Sequence, residues 1–155
     1  MTRTVIESKT KTVVIGFDEP FCVIGERINP TGRKKLAAEL EAGNFETVIR
    51  DAIEQVACGA TVLDVNSGAV FTNKMAEDPR YADNNFVEPP LMKQLIEIIQ
   101  QTVDVPLCID SSVPGALEAG LMACEGRPLL NSVTGEEELL ELVLPLVKKY
   151  NVPVV

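Results

Sequence analysis

The sequence predicts an α/β chain built on a parallel sheet. Short apolar runs alternate with segments of helical periodicity, giving β-α-β-α-β-α-β-α-β after an N-terminal run. The apolar runs are nearly continuous, which suits strands buried on both faces. Strands that alternate with amphipathic helices pair in parallel through right-handed crossovers.

The elements follow in order. Thr12–Phe17 (TVVIGF) reads as a short strand, and Asp18-Glu19-Pro20 punctuates it. Phe21–Ile24 (FCVI) reads as a buried strand running into Gly25-Glu26-Arg27-Ile28-Asn29-Pro30. Two strands this close suggest a strand or hairpin extension over residues 1–19, ahead of a main domain over 20–155. Lys34–Ala42 suits a short helix closed by Gly43, and Asn44 suits the N-cap of the next. Phe45, Val48, Ile49, Ala52, Ile53 and Val56 recur at helical spacing up to Ala57, and Gly59 ends the run. Thr61–Val65 (TVLDV) is the next strand, followed by a long polar loop over 69–88.

Pro89 and Pro90 suit the first turn of a helix whose apolar face is Leu91, Leu95, Ile98, Ile99 and Val103. Val105–Ile109 (VPLCI) is a strand. Pro114 opens a small helix with Ala116, Leu117, Gly120 and Leu121 inward, ended by Gly126. Pro128–Leu130 forms the fourth strand. Thr134 or Gly135 then caps a helix with an acidic first turn, the stripe Leu139, Leu140, Val143, Leu146 and Val147, and Lys148 and Lys149 in its last turn. Pro145 inside that stripe should kink the helix or delay its start. Val152–Val155 opens a fifth strand.

Composition excludes several functions. The 155 residues carry 14 basic and 23 acidic side chains, a net charge of −9, with two Tyr, five Phe and no Trp. Such a chain lacks the basic face and stacking aromatics of a nucleic-acid binder. No apolar run reaches the roughly 20 residues of a membrane span. The polar N-terminus has no signal core, so the chain reads as cytoplasmic. Cys22, Cys58, Cys108 and Cys124 are widely spaced in apolar contexts and read as buried thiols. With no histidine, Ser-His-Asp and Cys-His catalysis within this chain are excluded.

Polar residues gather at the strand ends. The first strand delivers Glu26, Arg27 and Asn29, the second Asp64 and Asn66, the third Asp110 and Ser111, the fourth Asn131 and Ser132. In a parallel sheet these ends share one edge, where α/β proteins build their sites. Each residue alone has a plain structural explanation. Asp110 could cap the turn before Pro114, Asn131 could bond its own loop, and Asp64 could pair with Arg27. Four successive strands delivering an acid or amide to one rim favour a site. The rim has no lysine cluster and no Gly-rich phosphate loop. Carboxylates and amides suit a flat, nitrogen-rich heterocycle, because a carboxylate accepts two parallel N–H bonds from an amidine-like edge.

Four segments carry a resemblance: IGERINPTG over Ile24–Gly32, GATVLDVNSG over Gly59–Gly68, LCIDSS over Leu107–Ser112, and LNS over Leu130–Ser132. In this order and spacing the chain resembles the pterin-binding domains of the dihydropteroate-synthase-like superfamily. It is most similar there to methyltetrahydrofolate:corrinoid methyltransferases and the folate domain of cobalamin-dependent methionine synthase. Dihydropteroate synthase, with its condensation chemistry, carries a different first loop and ranks second. The resemblance implies a (β/α)8 TIM barrel with the pterin of methyltetrahydrofolate at its mouth. It implies that Asp110 bonds the pterin's amino and ring N–H groups, and that Asn131 bonds the same ring. Asp64 and Asn66 would line the floor or orient those two, with Ser111 and Ser132 beside them. Glu26, Arg27 and Asn29 would shape the first loop. The implied reaction moves the N5 methyl to cob(I)alamin on a corrinoid protein or cobalamin-binding domain, with no protein-bound metal.

A (β/α)8 barrel needs about 250 residues. The chain is therefore expected to hold the first five strands and four crossover helices, as an N-terminal fragment. Contributions from later strands, including an asparagine near N5, have no position in it. Its free sheet edges should favour a homo-oligomer, and alone it should bind pterin weakly and transfer little methyl. The polar insert Met75–Asn85 could be a lid, a docking loop or a solvated loop without a role. The alternative is a non-catalytic, open-sheet α/β partner domain whose Asp64 and Asp110 hold Mg²⁺. That reading leaves IGERINPTG unexplained.

Overall fold

The computed structural model describes residues 3–68 and 87–155, so the insert Met75–Asn85 lies outside the described residues. Two strands, β1 (Thr4–Glu7) and β2 (Thr12–Ile15), form an antiparallel hairpin with Val5 opposite Val14. Four more, β3 (Ile24–Ile28), β4 (Val62–Asn66), β5 (Leu107–Asp110) and β6 (Leu129–Asn131), form a parallel sheet in that order. The helices are α1 (Lys34–Glu41), α2 (Glu46–Ala57), α3 (Glu88–Thr102), α4 (Pro114–Ala123) and α5 (Glu137–Tyr150). Past α5, Val154 makes a single parallel bridge to Leu130, where the fifth strand begins.

Alternation along the strands separates two apolar clusters. Leu63, Val65, Leu107, Ile109 and Leu130 face the helices and join Val48, Ala52, Leu95, Ile99 and Leu117. Val62, Cys108 and Leu129 face the other way and meet Ile6, Val13 and Ile15 of the hairpin. The hairpin thus covers the amino half of the inner face and leaves the carboxyl half open. Arg127 fastens it there. Its backbone exchanges hydrogen bonds with Glu7 at 2.8 and 2.9 Å, and its guanidinium donates to Val5 O at 2.5 Å.

Several elements differ from the sequence expectation. The N-terminal extension is a hairpin, but the partner of Thr12–Ile15 is Thr4–Glu7 and not Phe21–Ile24, with Ile6 on its inner side fully buried. The strand expected over Phe21–Ile24 is shifted to Ile24–Ile28, so Glu26 and Arg27 lie within it rather than after it. Phe21 is 89% exposed and Val23 41%, because the edge beside β3 carries no neighbouring strand among the described residues. Ile49 and Ile53 of α2 are likewise exposed, and the helix buries Thr47, Val48, Asp51 and Ala52 instead. Asn44 stands one residue before the N-cap position and accepts the Glu46 N–H at 2.9 Å.

The face of α3 adds Met92 and Ile96 to the expected residues and leaves out Ile98, which is only half-buried. Helix α4 stops at Ala123, and Gly126 serves the hairpin rather than the helix end. It adopts φ +94°, and a Cβ there would stand 2.4 Å from Glu7 O. Pro145 does not delay α5, which starts at Glu137. The carbonyl left without its i+4 donor belongs to Glu141, an exposed residue that water can serve. The N-cap position of α5 is Glu136, whose N–H is accepted by Thr134 Oγ1 at 3.4 Å.

Candidate functional site

Register builds the site. Asn66 pairs with Asp110, and Asp110 with Asn131, so three neighbouring strands bring one polar residue each to the same level. Two residues earlier, Asp64 pairs with Cys108, one layer below on the inner face. Under that layer lies the apolar contact with the hairpin. The rim is therefore polar above and dry below.

Its side chains hold one another. Asn66 Oδ1 accepts the Gly68 N–H at 2.8 Å, which turns its Nδ2 toward Asp110 Oδ2, also at 2.8 Å. Ser111 N–H donates to Asn131 O at 3.0 Å and ties the ends of β5 and β6 together. Asp64 is only 5% exposed. Burial pushes its carboxyl up to about 6, with Asp110 and Glu26 adding to the rise, while hydrogen bonds with Cys108 and Asn131 pull it back. Burial also raises the Cys108 thiol, with the Asp64 charge next. That thiol is a hydrogen-bond donor to Asp64 and not a nucleophile.

The candidate residues divide. Asp64, Asn66, Asp110 and Asn131 converge, and Glu26 faces them closely enough to raise Asp64. Arg27 does not join them. Gly25 faces α2, where a Cβ would meet Gln55, and strand alternation places Arg27, two residues on, on the same helix side; the slip in pairing between Gly25 and Ile28 turns Ile28 to that layer as well. There the Arg27 Nε lies 4.0 Å from Asp51, so the alternative pairing of Arg27 with Asp64 does not form. Asn29 accepts the Thr31 N–H at 2.9 Å and shapes its own turn. Ser111 turns its hydroxyl away from the rim opening, donating to Glu88 at 2.9 Å, and Ser132 is exposed. Glu88, 3% exposed at the start of α3, is the neighbour that sequence reasoning missed. Among the described residues, no group of three or more His, Cys, Asp or Glu is placed to hold a metal ion. None of the described helices is long and apolar enough to cross a membrane.

Together, the parallel sheet with its outer helices, the hairpin beneath and the polar carboxyl rim define an arc of a (β/α)8 barrel with a candidate site at its mouth. The pterin binding enzyme family matches residues 25–155, and the chain belongs to that family. It is 35% identical over 128 residues to a methylcorrinoid:tetrahydrofolate methyltransferase of Eubacterium limosum, a match covering 80% of this chain and 40% of that protein. In structure it is similar to the dihydropteroate synthase of Xanthomonas albilineans, solved with indole-2-carboxylic acid and 6-chloroguanine. The TM-score is 0.54 at 18% identity, over 99% of this chain and 49% of that one. A dihydropteroate synthetase solved with a product gives 0.52 at 18% identity, over 97% and 49%. At that identity the two synthases establish the fold alone. The chain spans less than half the length of each of these proteins.

Proposed function

We propose that this rim binds the pterin ring of a reduced folate and serves methyl exchange between its N5 and the cobalt of a corrinoid held by a separate protein or domain. The level row Asn66–Asp110–Asn131 carries the reading, with family membership and the methyltransferase relative in support. Asn66 engages Asp110 Oδ2 and holds the carboxylate in one orientation. Asp110 then accepts the parallel N–H pair of the ring's amidine edge, and Asn131 completes the ring's hydrogen bonds. Asp64 braces Asn131 from below.

The relative's name runs the reaction from methylcorrinoid to tetrahydrofolate. The opposite direction, from methyltetrahydrofolate to cob(I)alamin, is the same exchange reversed. In that direction the N5–methyl bond breaks, the methyl bonds to cobalt, and a proton enters at N5. In the other direction that proton leaves. A network that favours the ring most as charge shifts at N5 lowers the barrier both ways. The 155 residues supply one wall of the pocket; among the described residues the outer edge of β3 carries no neighbouring strand and is open to self-association, while β6 is already bridged by Val154.

Calorimetric titration with 5-methyltetrahydrofolate tests the reading. Asp110→Ala and Asn131→Ala should each cost about 1–3 kcal/mol of binding, the penalty for an unpaired buried polar partner. Arg50→Ala, on the outer face of α2, should change nothing. Binding that ignores both rim substitutions, or a folded chain that binds no folate, would overturn it.

A further inference from the structure

We infer that Glu88 is the positioning residue of this rim, bracing the Asn66–Asp110 pair that faces the pterin from both of its flanking turns. The inference rests on the pterin reading above and adds a residue to it.

The geometry begins with the two prolines. Glu88 is the first residue of α3, and Pro89 and Pro90 follow it directly. Neither proline has an N–H, so the carboxylate lacks the first-turn donors that an acidic residue at a helix start commonly uses. Buried to 3% exposure, it must find partners across the rim. One oxygen, Oε2, accepts the Ser111 hydroxyl at 2.9 Å, and Ser111 Oγ in turn accepts the Val113 N–H at 3.0 Å. Ser111 is the residue after Asp110. The other oxygen, Oε1, lies against the turn after β4, 3.7 Å from where a Cβ on Gly68 would stand. Gly68 is the residue whose N–H orients Asn66. One side chain thus bonds the turn after β5 and lies beside the turn after β4, the two turns that hold the Asn66–Asp110 hydrogen bond.

The surroundings fit a brace rather than a filler. An apolar side chain would occupy the same space at no cost in desolvation, yet the position holds an acid beside Asp110. Burial raises the Glu88 carboxyl, Ser111 lowers it, and Asp110 raises it again. The Ser111 hydroxyl and the positive end of the α3 dipole offset that burial. Ser111, expected beside the ring-binding residues, links Glu88 to the β5 turn.

The test compares Glu88→Ala, Glu88→Gln, Ser111→Ala and Asp110→Ala with the unaltered chain. Two readouts are taken: exchange of the Asn66 side-chain amide by NMR without ligand, and affinity for 5-methyltetrahydrofolate and for bare pterin. Glu88→Ala and Ser111→Ala should each speed Asn66 amide exchange about tenfold and weaken both ligands about tenfold, the scale of one lost hydrogen bond to a charged group. Glu88→Gln keeps an acceptor for Ser111 and should stay within about twofold on both. The backbone amide of Ala52, in the remote core, should not move. Equal loss for bare pterin places the effect at the ring. Unchanged Asn66 exchange in Glu88→Ala and Ser111→Ala overturns the brace. So does a Glu88→Gln variant as impaired as Glu88→Ala. If Asp110→Ala weakens binding while the Glu88 variants do not, the pterin reading stands and the brace falls. If Asp110→Ala has no effect on binding, the pterin reading falls, and Asn66 exchange still decides the brace.

Discussion

Replacing Asp64 with asparagine should stabilise the chain at neutral pH and remove part of its pH dependence. Asp64 is 5% exposed, and its carboxyl titrates near 6 in the folded chain against an ordinary 3.8. Between those values the folded chain holds a proton that the unfolded chain has lost. Stability therefore falls as pH rises from about 4 to about 6, and the full penalty stands above that. At about 1.4 kcal/mol for each pH unit of that window, the penalty is about 2–3 kcal/mol. Asparagine cannot ionise and escapes it. It keeps one oxygen to accept from Cys108 or Asn131, so some of the hydrogen bonding is lost and the net gain at pH 7.5 should be about 2 kcal/mol. Below pH 4 the two chains should be equal, or the variant slightly weaker. Urea denaturation at half-unit steps from pH 3.5 to 8 measures the difference directly. A difference that stays flat between pH 4 and 7 would refute the burial argument, and a variant weaker at every pH would reverse its sign.

Gly120→Ala should destabilise, although alanine is the better helix former. A Cβ there would stand 2.7 Å from Ile109 Cγ2 and 3.0 Å from Met92 Cγ, so overpacking of about 1–3 kcal/mol should exceed the roughly 1 kcal/mol gained in propensity. Denaturation midpoints decide it, and a more stable variant would show that α3 and α4 part easily. Arg33→Ala should cost about 3 kcal/mol, because Arg33 holds the buried Asp51 at 2.7 Å while Arg50 and Arg27 reach it only at 3.4 and 4.0 Å. Arg50→Ala, which removes an exposed partner, should stay within about 0.5 kcal/mol of the parent. Equal losses in the two variants would show that Asp51 is served by the cluster and not by Arg33.

Much of the rim was legible because strand ends are legible. Asp110 and Asn131 end short apolar runs, and a parallel sheet brings such ends to one edge whatever its exact register. Asn66 and Asp64 share a face because they are two residues apart in β4. Glu88 was not legible, since 23 residues separate it from Ser111 and its partner is set by how α3 lies on the sheet. The Pro89-Pro90 pair was the available signal, as it removes the local donors a buried acid would use. Arg27 was read as part of the first loop, but β3 runs on through Ile28, and alternation within that strand sets the Arg27 side chain beside Asp51.

By itself, then, the sequence determined the order of elements, the parallel pairing, the apolar faces and the residue types at the carboxyl rim. These follow from short-range periodicity and turn chemistry, which act over a few residues. The tertiary structure alone decided that Asn66 and Asp110, 44 residues apart, share a hydrogen bond. It also decided that Asp64 is buried among Cys108, Asp110 and Glu26, and that Arg27 serves Asp51 in the helix layer. The physical reason is the same in each case. Burial and the distance between charges depend on packing between strands remote in the chain, and no local pattern encodes that distance.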